Sequence, residues 1–201
     1  MEEKEIEVIA PQTEETKKVS NEKSFWHELI DIVFIVVVIL LPIRYFIAQP
    51  FIVVGSSMYP TYENGDYLII DEISYRFEKP KRFDIVVFRP PVNEKEHYIK
   101  RIIGLPGETV KVHNNEITII NKEHPEGFSL KESYISSERS ADDEGKLLGD
   151  DEYYVLGDNR AVSSDSRVWG PLKGSEISGR VLIRLFPFKR ISLFPGSVVQ
   201  Q

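Results

Sequence analysis

Apolar positions fall along this chain in two rhythms. Residues 32–43 form one uninterrupted apolar run. Leu29 and Ile30 before it, and Tyr45, Phe46 and Ile47 after it, extend the segment to about 19 residues, near the length that spans a bilayer as a helix. Asp31 and Arg44 stand toward its ends, where side chains reach the interface, and Trp26 and Tyr45 suit interfacial belts. A buried core helix competes with this reading, since such helices carry about 10–14 apolar residues. The β-branched Val and Ile are strand-like, but the length and the lack of alternation argue against a soluble strand. A cleaved leader fits poorly, because the run is far from Met1 and Phe46 stands where a small residue is needed.

Past Pro50 the rhythm changes to short alternating segments. Residues 67–70, 84–88, 98–103, 109–112, 116–120, 153–156 and 180–185 read as strands. Asn64-Gly65, Pro106-Gly107, Asn114-Asn115 and Gly157-Asp158 punctuate them as turns. The pattern predicts a mostly β fold, a barrel-like or sandwich catalytic domain preceded by one transmembrane helix. The expected division is a disordered cytoplasmic tail over 1–24, rich in glutamate, and an anchor over 25–48. A β-rich core over 49–112 and 151–195 follows, with a small polar insertion over 113–150 and a tail over 196–201. Lys17, Lys18 and Lys23 precede the apolar run, whereas Arg44 alone follows it before Arg76. This bias orients the N-terminus to the cytoplasm and the bulk of the chain outside.

Composition narrows the chemistry. The net charge of -7 disfavours nucleic acid as a partner, which would call for a basic face. No cysteine is present, so disulfides, thiol catalysis and zinc-thiolate sites are excluded. The histidines are His27, His97, His113 and His124, and none is spaced as a metal-binding pair.

Serine chemistry without a histidine partner needs another base, and lysine is the candidate. A free lysine is protonated at neutral pH, and burial is what lowers it. In a strand, Tyr98, Lys100 and Ile102 share one face, so a covered face would desolvate Lys100. On spacing alone the commoner fate is a lysine that reaches solvent at a sheet edge.

Four blocks in order change that balance. They are Ser57, Met58, Tyr59, Pro60 and Thr61; Gly65 and Asp66 before an apolar stretch; Tyr98, Ile99, Lys100 and Arg101 leading to Gly104, Pro106 and Gly107; and Gly157, Asp158, Asn159 and Arg160 followed by Ser163, Ser164, Asp165, Ser166 and Arg167. Together they resemble the type I signal peptidases, from about Pro50 to Gly170. The resemblance implies a membrane-anchored serine endopeptidase of the plasma membrane, with no metal and no cofactor. Its substrates would be signal-peptide-bearing preproteins, cut after small residues at -1 and -3. It assigns Ser57 as the nucleophile and Lys100 as the general base. Ser163 would orient the lysine, and Asp165 with Arg167 would brace the site. Phe51, Val53, Tyr98 and Ile99 would line shallow apolar pockets, and membrane lipid would lie close by, because Ser57 follows the span by about 10 residues. Two departures accompany it: Gly55 stands where some members carry a hydroxyl, and Ala161-Val162 where many carry Asp-Asn. Outside the resemblance, a membrane-tethered β module that binds peptides without cutting them is the main alternative. A self-cleaving regulator of related Ser/Lys chemistry fits less well, being soluble and usually fused to a DNA-binding module.

Overall fold

The computed structural model describes residues 25–40, 48–93, 95–114, 116–135 and 142–198. The expected tail over 1–24, the end of the expected anchor at 41–47 and residues 199–201 lie outside them. The chain divides into two compact units, Met1–Leu40 and Leu41–Gln201.

In the first unit, helix α1 covers Phe25–Ile35 and continues as a wider π-type turn over Val36–Leu40. It buries none of its residues, so Phe25, Trp26, Ile30, Ile32, Val33 and Phe34 are all exposed. Among the described residues, no helix is long and apolar enough to cross a membrane.

The second unit is β-rich. Its strands are β1 Ala48–Ile52, β2 Tyr67–Asp71, β3 Ile85–Phe88, β4 Tyr98–Gly104, β5 Thr109–His113, β6 Glu116–Ile120, β7 Phe128–Ser129, β8 Glu152–Leu156, β9 Leu172–Lys173, β10 Ile177–Phe186 and β11 Ser192–Leu193. A short helix, α2, covers Ser166–Trp169. The large sheet runs β1-β2-β10-β3-β4-β8-β9, with β11 on β10, and every pairing in it is antiparallel. It curls into a half-barrel. Long β10 shows where the bending occurs: its register shifts between Val181 and Ile183 and between Arg184 and Phe186 against β2, and again against β3. Such irregularities increase local twist and turn a flat sheet into a curved one.

Central position explains the apolar runs. Strand β3, held between β10 and β4, is buried at all four residues, Ile85, Val86, Val87 and Phe88. Inside the curl, Val53, Met58, Tyr62, Leu68, Ile70 and Val181 pack together.

The stretch read as a polar insertion has a core of its own. Strands β5, β6 and β7 form a second, three-stranded sheet that starts at Thr109. Its Val110, Val112, Ile117 and Ile119 pack with Leu148 against Ile103, Tyr154 and Leu156 of β4 and β8. Carboxylates outnumber these apolar side chains locally, which hides the core in the sequence. The C-terminal end is also engaged: Tyr62 Oη donates to Pro195 O (2.7 Å), Arg101 Nη1 donates to Gly196 O (2.7 Å), and Val198 packs on the same core.

Candidate active site

Ser57 sits in the connection between β1 and β2. Val53 N donates to Asp66 O and Gly65 N donates to Val53 O, each at 2.9 Å, which extends the β1–β2 ladder into the loop. Gly55 then turns the chain at φ +96°, a left-handed conformation that favours glycine. Its N–H donates to Asn64 Oδ1 (3.0 Å). Met58 and Tyr62 are fully buried just beyond, and Tyr62 N donates to Met58 O. The half-buried Ser57 is therefore fixed from both sides, a departure from loop mobility that a nucleophile requires.

Lys100 reaches it from β4. Its side chain is buried at 3% exposure, and Nζ donates to Ser57 Oγ at 2.8 Å and to Ile99 O at 2.9 Å. Tyr98, two residues earlier on the same face, holds its ring centroid 5.3 Å from Nζ. Burial pushes the ammonium down from 10.5 to about 8, against the opposing pull of Asp165 and Asp158. An amine that is partly neutral near pH 8 and within hydrogen-bond distance of a hydroxyl can accept its proton.

Residues 157–167 close over the serine. Asn159 N donates to Ser57 O (3.0 Å), and Asn159 Nδ2 donates to Ser56 O (3.1 Å). Gly157 passes so close that an added Cβ would lie 2.3 Å from Ser163 Oγ and 2.5 Å from Ser57 O. Arg167 holds Asp165 in a two-point pair, Nε to Oδ1 and Nη2 to Oδ2, both at 2.8 Å. Asp165 in turn accepts from Gly157 N (3.1 Å) and caps α2 through Arg167 N. Ser163 Oγ is buried beside Gly157 and has no hydrogen-bond partner among the described residues, so it makes no bond to Lys100.

Sequence reasoning missed a second layer. Alternation along β4 turns Arg101 away from Lys100 and into the protein, where its Nε and Nη2 donate to Asp158 Oδ1 (2.9 Å) and Oδ2 (2.7 Å). Neither side chain is exposed. Thr61 Oγ1 donates to Asp158 Oδ2 (2.5 Å), so the pair ties β4, residues 157–167 and the end of the serine loop together. The strand period could have flagged Arg101 as inward-facing, but its partner lies 57 residues away. Glu132, bound to Arg160, was likewise invisible before folding.

Ser57 and Lys100 open into a cleft of about 570 Å³. Phe51, Val53, Tyr98 and Ile99, the four positions expected to line substrate pockets, all line it. No group of three His, Asp or Glu side chains that could hold a metal ion gathers among the described residues.

The chain has recognisable relatives. A family profile described as signal peptidase, peptidase S26, matches residues 26–186. A probable signal peptidase I-1 of Synechocystis sp. is 36% identical over 173 residues, 83% of this chain and 85% of that one. A signal peptidase I of Leptolyngbya laminosa is 40% identical over 162 residues, 77% of each chain. One of Bacillus caldolyticus is 36% identical over 173 residues, 79% of this chain and 91% of the other. With the profile covering most of its length, the chain belongs to the signal peptidase family, peptidase S26.

Proposed function

We propose that this chain removes signal peptides from exported preproteins as a serine endopeptidase, with Ser57 as nucleophile and Lys100 as general base. The observation that carries the reading is the 2.8 Å contact of a buried lysine with a serine in an apolar cleft. Ser57 Oγ attacks the scissile carbonyl carbon while its proton passes to Lys100 Nζ. The developing oxyanion faces the Ser57 N–H, which donates to no acceptor among the described residues. Lys100 then gives its proton to the leaving amine, the C–N bond breaks, and an ester to Ser57 remains. A water attacks that ester after losing its proton to Lys100, and Ser57 recovers the proton as the carboxyl product leaves. Ser163, whose hydroxyl sits beside Gly157 unbonded among the described residues, turns toward the lysine in this cycle to orient it, and Asp165 with Arg167 braces the site.

Cleft walls made by Phe51, Val53, Tyr98 and Ile99 support selection of small residues at -1 and -3, because a shallow apolar slot rejects bulk. In the same reading, residues 25–48 anchor the chain once in the plasma membrane, N-terminus cytoplasmic and catalytic core outside, and residues 113–150 form a subdomain on that core. A lipid-facing rim fits the exposed Ile52 and Phe186, which flank Tyr67 from β1 and β10. Val54, Phe188, Ile191 and Leu193 are exposed as well, with Lys189 and Arg190 between them, a composition suited to an anionic bilayer surface. A binding module without catalysis is not favoured, since nothing would require a desolvated lysine against a serine.

Cleavage of a model preprotein with Ala at -1 and -3, in detergent, tests this. Wild type cuts at that junction, and Ser57→Ala binds the preprotein and leaves it whole. Processing by Ser57→Ala at the wild-type rate would remove Ser57 from its role.

A further inference from the structure

Glu132 lies in the segment that follows β7, outside the four sequence blocks, yet its side chain is 4% exposed. Its carboxylate accepts from Arg160 Nη1 (2.8 Å) and Nη2, and from Tyr134 Oη (2.6 Å). Arg160 Nε donates to Gly157 O (3.0 Å), and the Arg160 carbonyl accepts from Arg167 Nη2 (2.9 Å). Tyr134 lays its ring 3.9 Å from the guanidinium carbon of Arg101. One short segment thus grips Arg101 and Arg160, two of the arginines that shape residues 157–167. Those residues hold the serine through the two bonds from Asn159 to Ser57 O and Ser56 O.

We infer that Glu132 is a positioning residue for the peptidase reaction: by clamping Arg160 it seats residues 157–167 on the backbone of Ser57 and seals them over Lys100. The small subdomain then contributes to the active site without touching substrate. A purely solubilising insertion would have no reason to bury a carboxylate and aim it at Arg160, because a buried charge is costly unless paired. The inference rests on the proposed peptidase reading.

The clamp also bears on the lysine. Groups acting on Lys100 are Ser57, the Tyr98 ring and the carboxylates of Asp165 and Asp158, and burial outweighs both carboxylates. Loosening residues 157–167 admits water, removes part of that burial and moves the ammonium from about 8 back toward 10.5.

Glu132→Gln tests this with the preprotein assay across pH. The expected result is a kcat lower by about tenfold or more, as small misplacements of reacting groups produce, with KM little changed and the acid limb of activity displaced to higher pH. Glu132→Gln leaves Arg160 buried and half-paired, so a second variant guards against simple unfolding. In Glu132→Leu/Arg160→Met the pair is replaced by apolar side chains of similar size, which folds tolerate well. Thermal unfolding establishes that it is folded. A folded double variant with reduced kcat and a displaced acid limb upholds the inference. A folded double variant with wild-type kcat and wild-type pH profile overturns it. Failure of wild type itself to cleave removes the peptidase reading, and the inference falls with it.

Discussion

Lys100 Nζ donates to Ser57 Oγ across 2.8 Å, joining the middle of a sheet strand to a loop 43 residues earlier in the chain. Neither residue is strained or unusual by itself. What sets the chemistry is where the strand lies: β4 sits between β3 and β8, and it is buried from Lys100 to Gly104. A lysine placed there loses hydration that its bonds to Ser57 Oγ and Ile99 O do not replace, and its proton is held weakly.

Activity should follow that weak proton. The proposed mechanism needs Lys100 neutral, and burial lowers the ammonium to about 8. Below this value kcat/KM falls about tenfold per pH unit, because one proton blocks the base. It rises through about pH 8 and levels above it. Lys100→Arg keeps the charge and cannot deprotonate, so it should be inactive across the range. A pH–rate series on the model preprotein reads both outcomes. A wild-type midpoint near 10.5, or an active Lys100→Arg enzyme, would show that a different group is the base.

Stability should also rise with pH at the same residue, but over a higher window. The folded Lys100 titrates at about 8 and an unperturbed lysine at 10.5. Between these values the unfolded chain holds the proton and the folded chain does not, so wild-type stability rises with pH across that window. Below about 8 the penalty is fully present, about 3 kcal/mol from the size of the displacement. Lys100→Met removes it and also removes the bonds to Ser57 Oγ and Ile99 O, about 1 kcal/mol each. The variant should therefore be more stable at pH 6–7 by about 1 kcal/mol, or a few degrees in Tm. That advantage should vanish or reverse by pH 10.5. Thermal unfolding of both proteins at matched pH gives the comparison, and a constant difference would mean that Lys100 is not desolvated.

Much of this arrangement was legible beforehand, for reasons that differ by residue. Strands β2, β4 and β6 carry apolar alternation or runs that only a sheet explains, and their expected limits lie within a residue of those observed. Strand β1 was hidden, because Ala48–Ile52 starts where the long apolar segment of the sequence ends and contains Pro50. As the edge strand of the sheet, β1 can hold a proline that lacks an N–H. The blocks around Ser57 and Lys100 could be matched as local strings. The Arg101–Asp158 and Glu132–Arg160 pairs could not, since each is made by chain segments that only the folded topology brings together. The placement of Leu148 against Val110 and Val112 is of the same kind: alternation forecasts the strand but not its cover.

Ser163 offers the sharpest separation of structural from catalytic roles. Its hydroxyl is buried without a partner among the described residues, pressed against the site where Gly157 lacks a side chain. A buried hydroxyl with no bond contributes nothing to stability and carries a desolvation cost, so Ser163→Ala should leave stability unchanged or raise it by up to about 1 kcal/mol. If the same hydroxyl turns toward the lysine once substrate occupies the cleft, kcat should drop by about tenfold to a hundredfold, as loss of a group that orients the base would cause. Ser163→Thr keeps a hydroxyl but adds a methyl group where Gly157 leaves little space, so it should recover part of kcat at most. Parallel kcat and unfolding measurements on the three proteins distinguish the cases. An alanine variant that is as stable as wild type and cuts as fast would strip Ser163 of the orienting role. One that loses stability would mean that its hydroxyl bonds elsewhere in the folded protein.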